Sequence, residues 1–289
     1  MKLHPDMITS KLQEPHWFDW QPSTNEAYDG RIPEKDKYAY LKAYREHAFN
    51  ITETRSHLNK TMIEKTPFYM YDLKAAYRIK SVLPKAKIIA LLRDPVERAY
   101  SNYKMDKHAY ARNKIHSFED CIEADIAILK LAGILSQNES AATTNLPDFD
   151  KAWARYAVTY RTYRLNCGSV VGRGIYAAQL RRWFKVYNKE ERKMQFLVMK
   201  SEDLRPDKYG RVDITNITRF IGISEKNFTN VGGIHGTRDM GPMQKETKDR
   251  LRRLYKPFND DLYELLGPGW ENPWPYTKEI SLPFFKDLL

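Results

Sequence analysis

The sequence predicts an α/β fold in which helices pack on a central parallel sheet. Two apolar runs and their surroundings carry the prediction. Ile88–Leu92 ("IIALL") is continuously apolar between Lys87 and Arg93, the pattern of a strand covered on both faces. Gln195–Met199 ("QFLVM") repeats it. Each run follows a stretch with helical periodicity, and strands alternating with helices pair in parallel.

In chain order, the first sixty residues are polar and rich in aromatics, with Trp17, Phe18 and Trp20 close together, and read as loops and short helices. Tyr71–Leu83 spaces Leu73, Ala76, Tyr77 and Leu83 as one helix face and stops at Pro84. After Ile88–Leu92 a helix starts: Asp94 is its N-cap, Pro95 takes the first position, and Glu97 completes a capping-box-like pattern. Residues 105–165 are mixed and mostly helical, interrupted by "SQNESAATTNLPD". "VVGRGIY" reads as a turn. Gly174–Tyr187 puts Tyr176, Leu180, Trp183, Phe184 and Tyr187 on one helical face. The strand Gln195–Met199 follows, then a short helix over Ile214–Ile221. Thr247–Leu266 reads as two helices broken at Pro257. No repeat or linker divides the chain, so it is read as a single domain over 1–289.

Composition bounds the function. The 289 residues are 42% hydrophobic and 13% aromatic, enough for a large core, which excludes a disordered chain. A net charge of +11 favours an anionic partner such as nucleic acid, an acidic lipid surface, a phosphorylated cofactor or a sulfated glycan; a merely basic soluble protein is the plainer reading. No helix-turn-helix, zinc-finger or RNA-recognition signature occurs, and no nucleic-acid partner is expected. Cys121 and Cys167 admit one bridge or two free thiols. No apolar run reaches membrane-spanning length, and the first residues lack a signal-peptide core. Five Asn-x-Ser/Thr sequons, at Asn50, Asn59, Asn138, Asn216 and Asn227, stand among 14 asparagines. Chance would give roughly one or two, so the excess suggests a secretory lumen, although a cytosolic protein carries sequons at no cost.

The chemistry gathers where the first apolar strand ends. Ligands of open parallel sheets bind beyond the carboxyl ends of strands. Arg93 ends the strand, the following helix offers its positive end, and Ser101 lies two turns along. A forked cation and a neutral hydroxyl suit a phosphate monoester. A surface arginine and a structural serine on a capped helix is the alternative. "QEPHWFDW" sets Glu14, His16 and Asp19 among aromatics, where a carboxylate can serve as a general base. "EKTPFYMY" places Lys65 before a Thr-Pro turn. No H-E-x-x-H or C-x-x-C spacing occurs, and no metal is expected.

Taken in order, "HPD" at His4, "EPHWFDW" from Glu14, "EKTP" from Glu64, "LLRDPVERAYSNY" from Leu91, "GRGIYAAQLRRWFKVY" from Gly172, "FLVMKSEDL" from Phe196 and "RLYKPFNDDLYELLG" from Arg253 resemble the Golgi carbohydrate sulfotransferases across most of the chain. "EPHW" looks most like the branch acting at the 6-position of N-acetylgalactosamine 4-sulfate in chondroitin or dermatan sulfate; the heparan sulfate 3-O-sulfotransferases share the plan. The resemblance implies a P-loop-like sulfotransferase fold and 3′-phosphoadenosine 5′-phosphosulfate as sulfuryl donor. It implies a sulfated or acidic glycan acceptor and a Golgi-lumenal glycoprotein. Glu14 would be the base, with His16 and Asp19 nearby and Lys65 close to the transferring group. Arg93 and Ser101 would hold the 3′-phosphate, with Arg238 of "HGTRDMGPM" a further cofactor contact. Tyr176 and Trp183 would border the acceptor, unless they only pack a core. Residues 1–104 would carry the cofactor and catalytic part, 105–165 a helical acceptor-side insertion, and 166–289 the rest of the sheet and the C-terminal helices.

The family's opening strand and "K-x-G-T-T"-like phosphate loop, normally upstream of the "HP" element, find no match here. The expectation is a chain truncated at its N-terminus, with the type II membrane anchor lost alongside. A catalytically impaired member that only binds sulfated glycan or nucleotide is therefore a second reading. A nucleotide kinase is a third, disfavoured by the absence of a Walker A loop and of magnesium-binding acidic motifs.

Overall fold

A computed structural model describes residues 4–20, 30–50, 52–53, 59–111, 117–141, 146–163, 167–207, 211–224, 228–229, 241–271 and 274. Its strands pair two by two. β1 (Met7–Thr9) runs parallel to β2 (Thr61–Ile63), with Ile8 opposite Met62. β3 (Ile88–Leu92) runs parallel to β4 (Phe196–Lys200), with Ile88 opposite Phe196 and Leu92 opposite Lys200. β5 (Arg211–Val212) and β6 (Phe228–Thr229) form a short antiparallel pair. The parallel strands are flanked by helices, as the apolar runs foretold.

The opening third is more ordered than its sequence suggests. Three-residue strands such as β1 and β2 are too short to show an apolar run. α1 (Trp17–Trp20) is followed by α2 (Glu34–Ala48), fifteen residues long. α2 buries only Tyr40, Tyr44 and Ala48, a single stripe four residues apart on an otherwise polar helix. Such a stripe is easily lost among charges.

Tyr71–Leu83 is not one helix. α3 (Phe68–Tyr71) and α4 (Ala75–Val82) are separated at Asp72. The Asp72 carboxylate accepts the Lys74 and Ala75 N–H groups at 2.8 and 2.9 Å, competing with helical bonding at that point. Residues 95–163 supply α5 (Pro95–Ala111), α6 (Phe118–Ala132) and α7 (Leu146–Tyr163). A tight turn over Gly172–Gly174 leads into α8 (Tyr176–Val186), and α9 (Lys189–Gln195) precedes β4. α10 is Thr215–Ile221. α11 (Lys245–Leu266) runs unbroken through Pro257, contrary to the expected break. The proline removes one backbone donor, whereas Leu251, Leu254, Tyr255, Phe258 and Leu262 bury a continuous stripe across both halves.

The largest core joins α5, α6, α7, the Gly172 turn and α11 around Trp153, Tyr156 and Tyr255. Within it the cysteine question resolves: Cys121 of α6 is bonded to Cys167. One turn along α6, the wholly buried Asp125 carboxylate accepts from the Tyr156 hydroxyl (2.7 Å) and from the Val171 and Gly172 N–H groups (2.7 and 3.0 Å). Disulfide and carboxylate together fasten residues 167–174 to α6. Gly172 is required there, because a Cβ would lie 2.0 Å from the Tyr156 hydroxyl oxygen.

Candidate active site

Both parallel pairs end in polar residues on their carboxyl side. At the end of β3, the Asp94 carboxylate caps α5, accepting the Val96 and Glu97 N–H groups at 2.8 and 3.3 Å. Burial raises its pKa. The Asp94 N–H donates to Glu202, just past β4 (3.3 Å), and Glu97 takes Lys248 of α11 at 2.7 Å. Asp94 thereby ties the ends of β3 and β4 together.

Arg93 is half-buried at this edge, and its carbonyl accepts the Tyr176 hydroxyl at 2.8 Å. Burial raises that hydroxyl to about 12. Among the described residues, neither the Arg93 guanidinium nor the Ser101 hydroxyl is engaged in a hydrogen bond or ion pair. Arg98, between them on α5, is engaged: it donates to Asn102 (3.4 Å) and to the Val170 carbonyl. The β3–α5 junction therefore leaves Arg93 and Ser101 uncommitted and uses Arg98 to hold the 167–174 segment.

Beyond β1 and β2 lies a second group. Glu14 Oε2 is 3.4 Å from His16 Nε2, and Glu14 Oε1 is 3.7 Å from Lys65 Nζ. His16 Nδ1 is bonded to Asp19 Oδ2 at 2.8 Å. The His16 ring stacks on Trp20, with centroids 3.7 Å apart. Its backbone takes the left-handed conformation, φ +52°, uncommon outside glycine. Glu14 and Lys65 are the solvent-facing members, with side chains 35% and 50% exposed. Asp19 is the buried one, and burial raises its pKa against the opposing effect of the His16 bond. A carboxylate open to solvent, a histidine held by a second carboxylate and a nearby ammonium can together accept a proton and offset developing negative charge.

The structure thus brings Glu14, His16, Asp19 and Lys65 into one cluster and Tyr176 against Arg93 at the β3 terminus, with Ser101 two turns along α5. Three of the candidate site residues, Asp19, Tyr176 and Trp183, face inward. Asp19 is spent on His16. Tyr176 braces Arg93. Trp183 is 4% exposed, packs beside Tyr187 and Phe196, and donates its indole N–H to the Met70 carbonyl at 3.3 Å. Amphipathic periodicity cannot tell a core face from a ligand face, and the core took these rings. Arg238 lies outside the described residues.

Two residues escaped the sequence reading. Arg173, taken as part of a turn, lies with its guanidinium carbon 4.9 Å from the centre of the Phe68 ring, and Phe68 in turn neighbours His16. Its Nε is buried without a hydrogen-bond partner. Glu64, quoted only as the first letter of "EKTP", is largely buried beside the cluster, and its pKa is raised to about 6, chiefly by desolvation. An arginine between two glycines and an acid directly after a strand were the available signals; neither is specific.

Comparison with known proteins identifies the family. Residues 15–232 match the sulfotransferase domain family. Carbohydrate sulfotransferase 15 of Mus musculus is 26% identical over 312 aligned residues, covering 92% of this chain and 50% of that protein. Membrane-associated sulfotransferase kil1 of Dictyostelium discoideum is also 26% identical, covering 74% of the chain and 54% of its own length. Heparan sulfate glucosamine 3-O-sulfotransferase 6 of Mus musculus is 23% identical over 94% of the chain. The chain spans about half the length of the first of these relatives. A crystal structure of a sulfotransferase from Alicyclobacillus acidocaldarius superposes with a TM-score of 0.53 at 20% identity, covering 91% of this chain and 86% of that one, which identifies the fold. With the match extending over most of its length, from the residue after Glu14 past β5 and α10, the chain belongs to the sulfotransferase domain family.

Proposed function

We propose that this protein is a carbohydrate sulfotransferase, moving a sulfuryl group from 3′-phosphoadenosine 5′-phosphosulfate to a hydroxyl of a chondroitin, dermatan or heparan sulfate-type glycan in the Golgi lumen. The observation that carries the reading is Glu14, solvent-facing between His16 and Lys65 beyond the ends of β1 and β2. The donor fits the residues present: the uncommitted Arg93 guanidinium, the Ser101 hydroxyl and the N-terminal turn of α5 are suited to a phosphate monoester. When bound, it supplies an activated sulfuryl group with a phosphate leaving group. Glu14 takes the proton of the acceptor hydroxyl. His16, fixed by Asp19, orients Glu14, and Lys65 holds negative charge on the transferring group. The chain's net charge of +11 favours a polyanionic acceptor.

Calorimetric titration with adenosine 3′,5′-bisphosphate tests the donor half. Arg93→Ala should weaken binding about 10- to 100-fold and Ser101→Ala by less, since hydrogen bonds to charged groups contribute about 1.5–3 kcal/mol and neutral ones about 1. Transfer of labelled sulfate to chondroitin, dermatan and heparan sulfates tests the acceptor half. Glu14→Gln should abolish transfer while leaving nucleotide affinity intact. Binding indifferent to Arg93→Ala, or transfer surviving Glu14→Gln, would overturn the assignment.

A further inference from the structure

The cluster of Glu14, His16 and Asp19 hangs on a helix of only four residues. The segment leading into α1, "EPH", has no Ser, Thr, Asp or Asn to accept its first N–H groups. Those groups are satisfied from elsewhere in the chain. The His16 N–H donates to the Thr66 hydroxyl (3.3 Å), and the Trp17 and Phe18 N–H groups donate to the Tyr69 hydroxyl (3.1 and 3.4 Å). A hydroxyl that accepts an amide proton must direct its own proton elsewhere. Thr66 donates to Glu64 Oε2 at 3.0 Å, and the Tyr69 hydroxyl lies beside the same carboxylate and favours its charged form.

We infer that Glu64 is a positioning residue of the active site: by orienting the Thr66 and Tyr69 hydroxyls, it caps α1 in trans and holds the left-handed backbone that aims His16 at Glu14. The inference rests on the function proposed above. Among the described residues Glu64 has no cationic partner of its own; its ionisable neighbours are His16, Asp19, Tyr44 and Tyr69. Lys65, next in sequence, points instead to Glu14. A mostly buried carboxylate without a cation is costly, and here the Thr66 hydrogen bond and the adjacent Tyr69 hydroxyl offset that cost. Strain at His16 persists only when its surroundings determine it, and this network supplies three of the bonds that do so.

The test uses the whole chain and reads amide hydrogen exchange, turnover and nucleotide affinity together. In Glu64→Ala, the His16, Trp17 and Phe18 amides should exchange about tenfold faster or more, while α5 stays unchanged. Turnover should fall about 10- to 100-fold, since misplaced catalytic groups cost that much. Adenosine 3′,5′-bisphosphate affinity should stay within about twofold, as expected for independent sites. Glu64→Gln should recover most of both losses, because its amide oxygen still accepts. Where Glu64→Ala fails to fold, Thr66→Val should release the His16 amide alone, and Tyr69→Phe those of Trp17 and Phe18. Unchanged exchange at residues 16–18, equal acceleration across the molecule, or lost turnover that Gln does not rescue would each overturn the inference. Wild-type protein that binds nucleotide but transfers no sulfate would count against the proposed function, while the exchange data would still decide whether Glu64 caps α1.

Discussion

Asp19 and Glu64 flank the same histidine with carboxylates that burial pushes toward the neutral form, and each has a consequence that can be measured. Asp19 spends its charge on His16 Nδ1 at 2.8 Å. Asp19→Asn keeps the shape and removes the charge that fixes the ring, so turnover should fall by about 10²-fold with nucleotide affinity unchanged, the size of a general acid–base contribution. A mutant retaining about a third of wild-type turnover would remove Asp19 from the mechanism. Glu64 yields a stability prediction with a definite sign. Its pKa rises from 4.5 to about 6 on folding, so its stabilising contribution is full below about pH 4.5 and is lost as pH climbs through 6. The loss amounts to about 2 kcal/mol, because each tenfold gain in proton affinity on folding corresponds to about 1.4 kcal/mol. The melting temperature of wild type relative to Glu64→Gln should therefore decline between about pH 4.5 and 6.5; parallel curves would contradict the assignment. The candidacy of Glu14, His16, Lys65, Arg93 and Ser101 was legible in the sequence because acids, bases and cations crowded into short windows at element boundaries are unusual. The inward turn of Asp19, Tyr176 and Trp183 was not, because it depends on what the fold lays over them.

At the scale of elements, the same difference in legibility has a physical origin. β3 and β4 are five residues long and carry apolar runs that announce them, even though Leu91 is left exposed, whereas β1 and β2 use three residues each, too few to show a run. Pro257 looked like a stop because local rules say so, but the α11 stripe supplied enough tertiary burial to carry the helix through it. The Gly172 turn is the element that braces the start of α5, next to Arg93. It receives Arg98 of α5 at Val170 and is pinned by Asp125. Asp125→Ala would strand two buried N–H groups and the Tyr156 hydroxyl, costing about 3 kcal/mol or more, since each unsatisfied buried donor costs about 1–3. Urea denaturation should show that loss, and nucleotide affinity should weaken with it as α5 loses its brace. A change under about 0.5 kcal/mol would mean that the turn is held by its other ties, the disulfide and the Arg98 and Tyr255 bonds among them, without need of Asp125.

For the whole molecule, the Cys121–Cys167 bond and the surface asparagines address the same question of compartment from independent chemistry. The two cysteines lie 46 residues apart, and closing such a loop removes about 4 kcal/mol of unfolded-state entropy. The bond forms in an oxidising lumen and is rare in a reducing cytosol. Asn50, Asn59, Asn138 and Asn216 are all exposed; Asn227 lies outside the described residues. Asn138 sits in the loop closed by the Leu135–Ala141 bridge, its sequon serine bonded to Ser136 at 2.7 Å, where a glycan meets no packed surface. None of the four belongs to the Glu14 cluster or the Arg93 edge, so modification leaves the site clear. The chain recovered from the secretory pathway of a eukaryotic host should lose mass on treatment with peptide:N-glycosidase F, and Asn138→Gln should remove one glycan's worth of that loss. The same protein should resist thiol alkylation until unfolded and reduced, because both sulfurs are joined in a disulfide that burial shields from reductant. Secreted material carrying two alkylatable thiols and no glycan would place the chain's working environment outside the lumen and withdraw the Golgi assignment, while leaving the site chemistry to be judged by transfer alone.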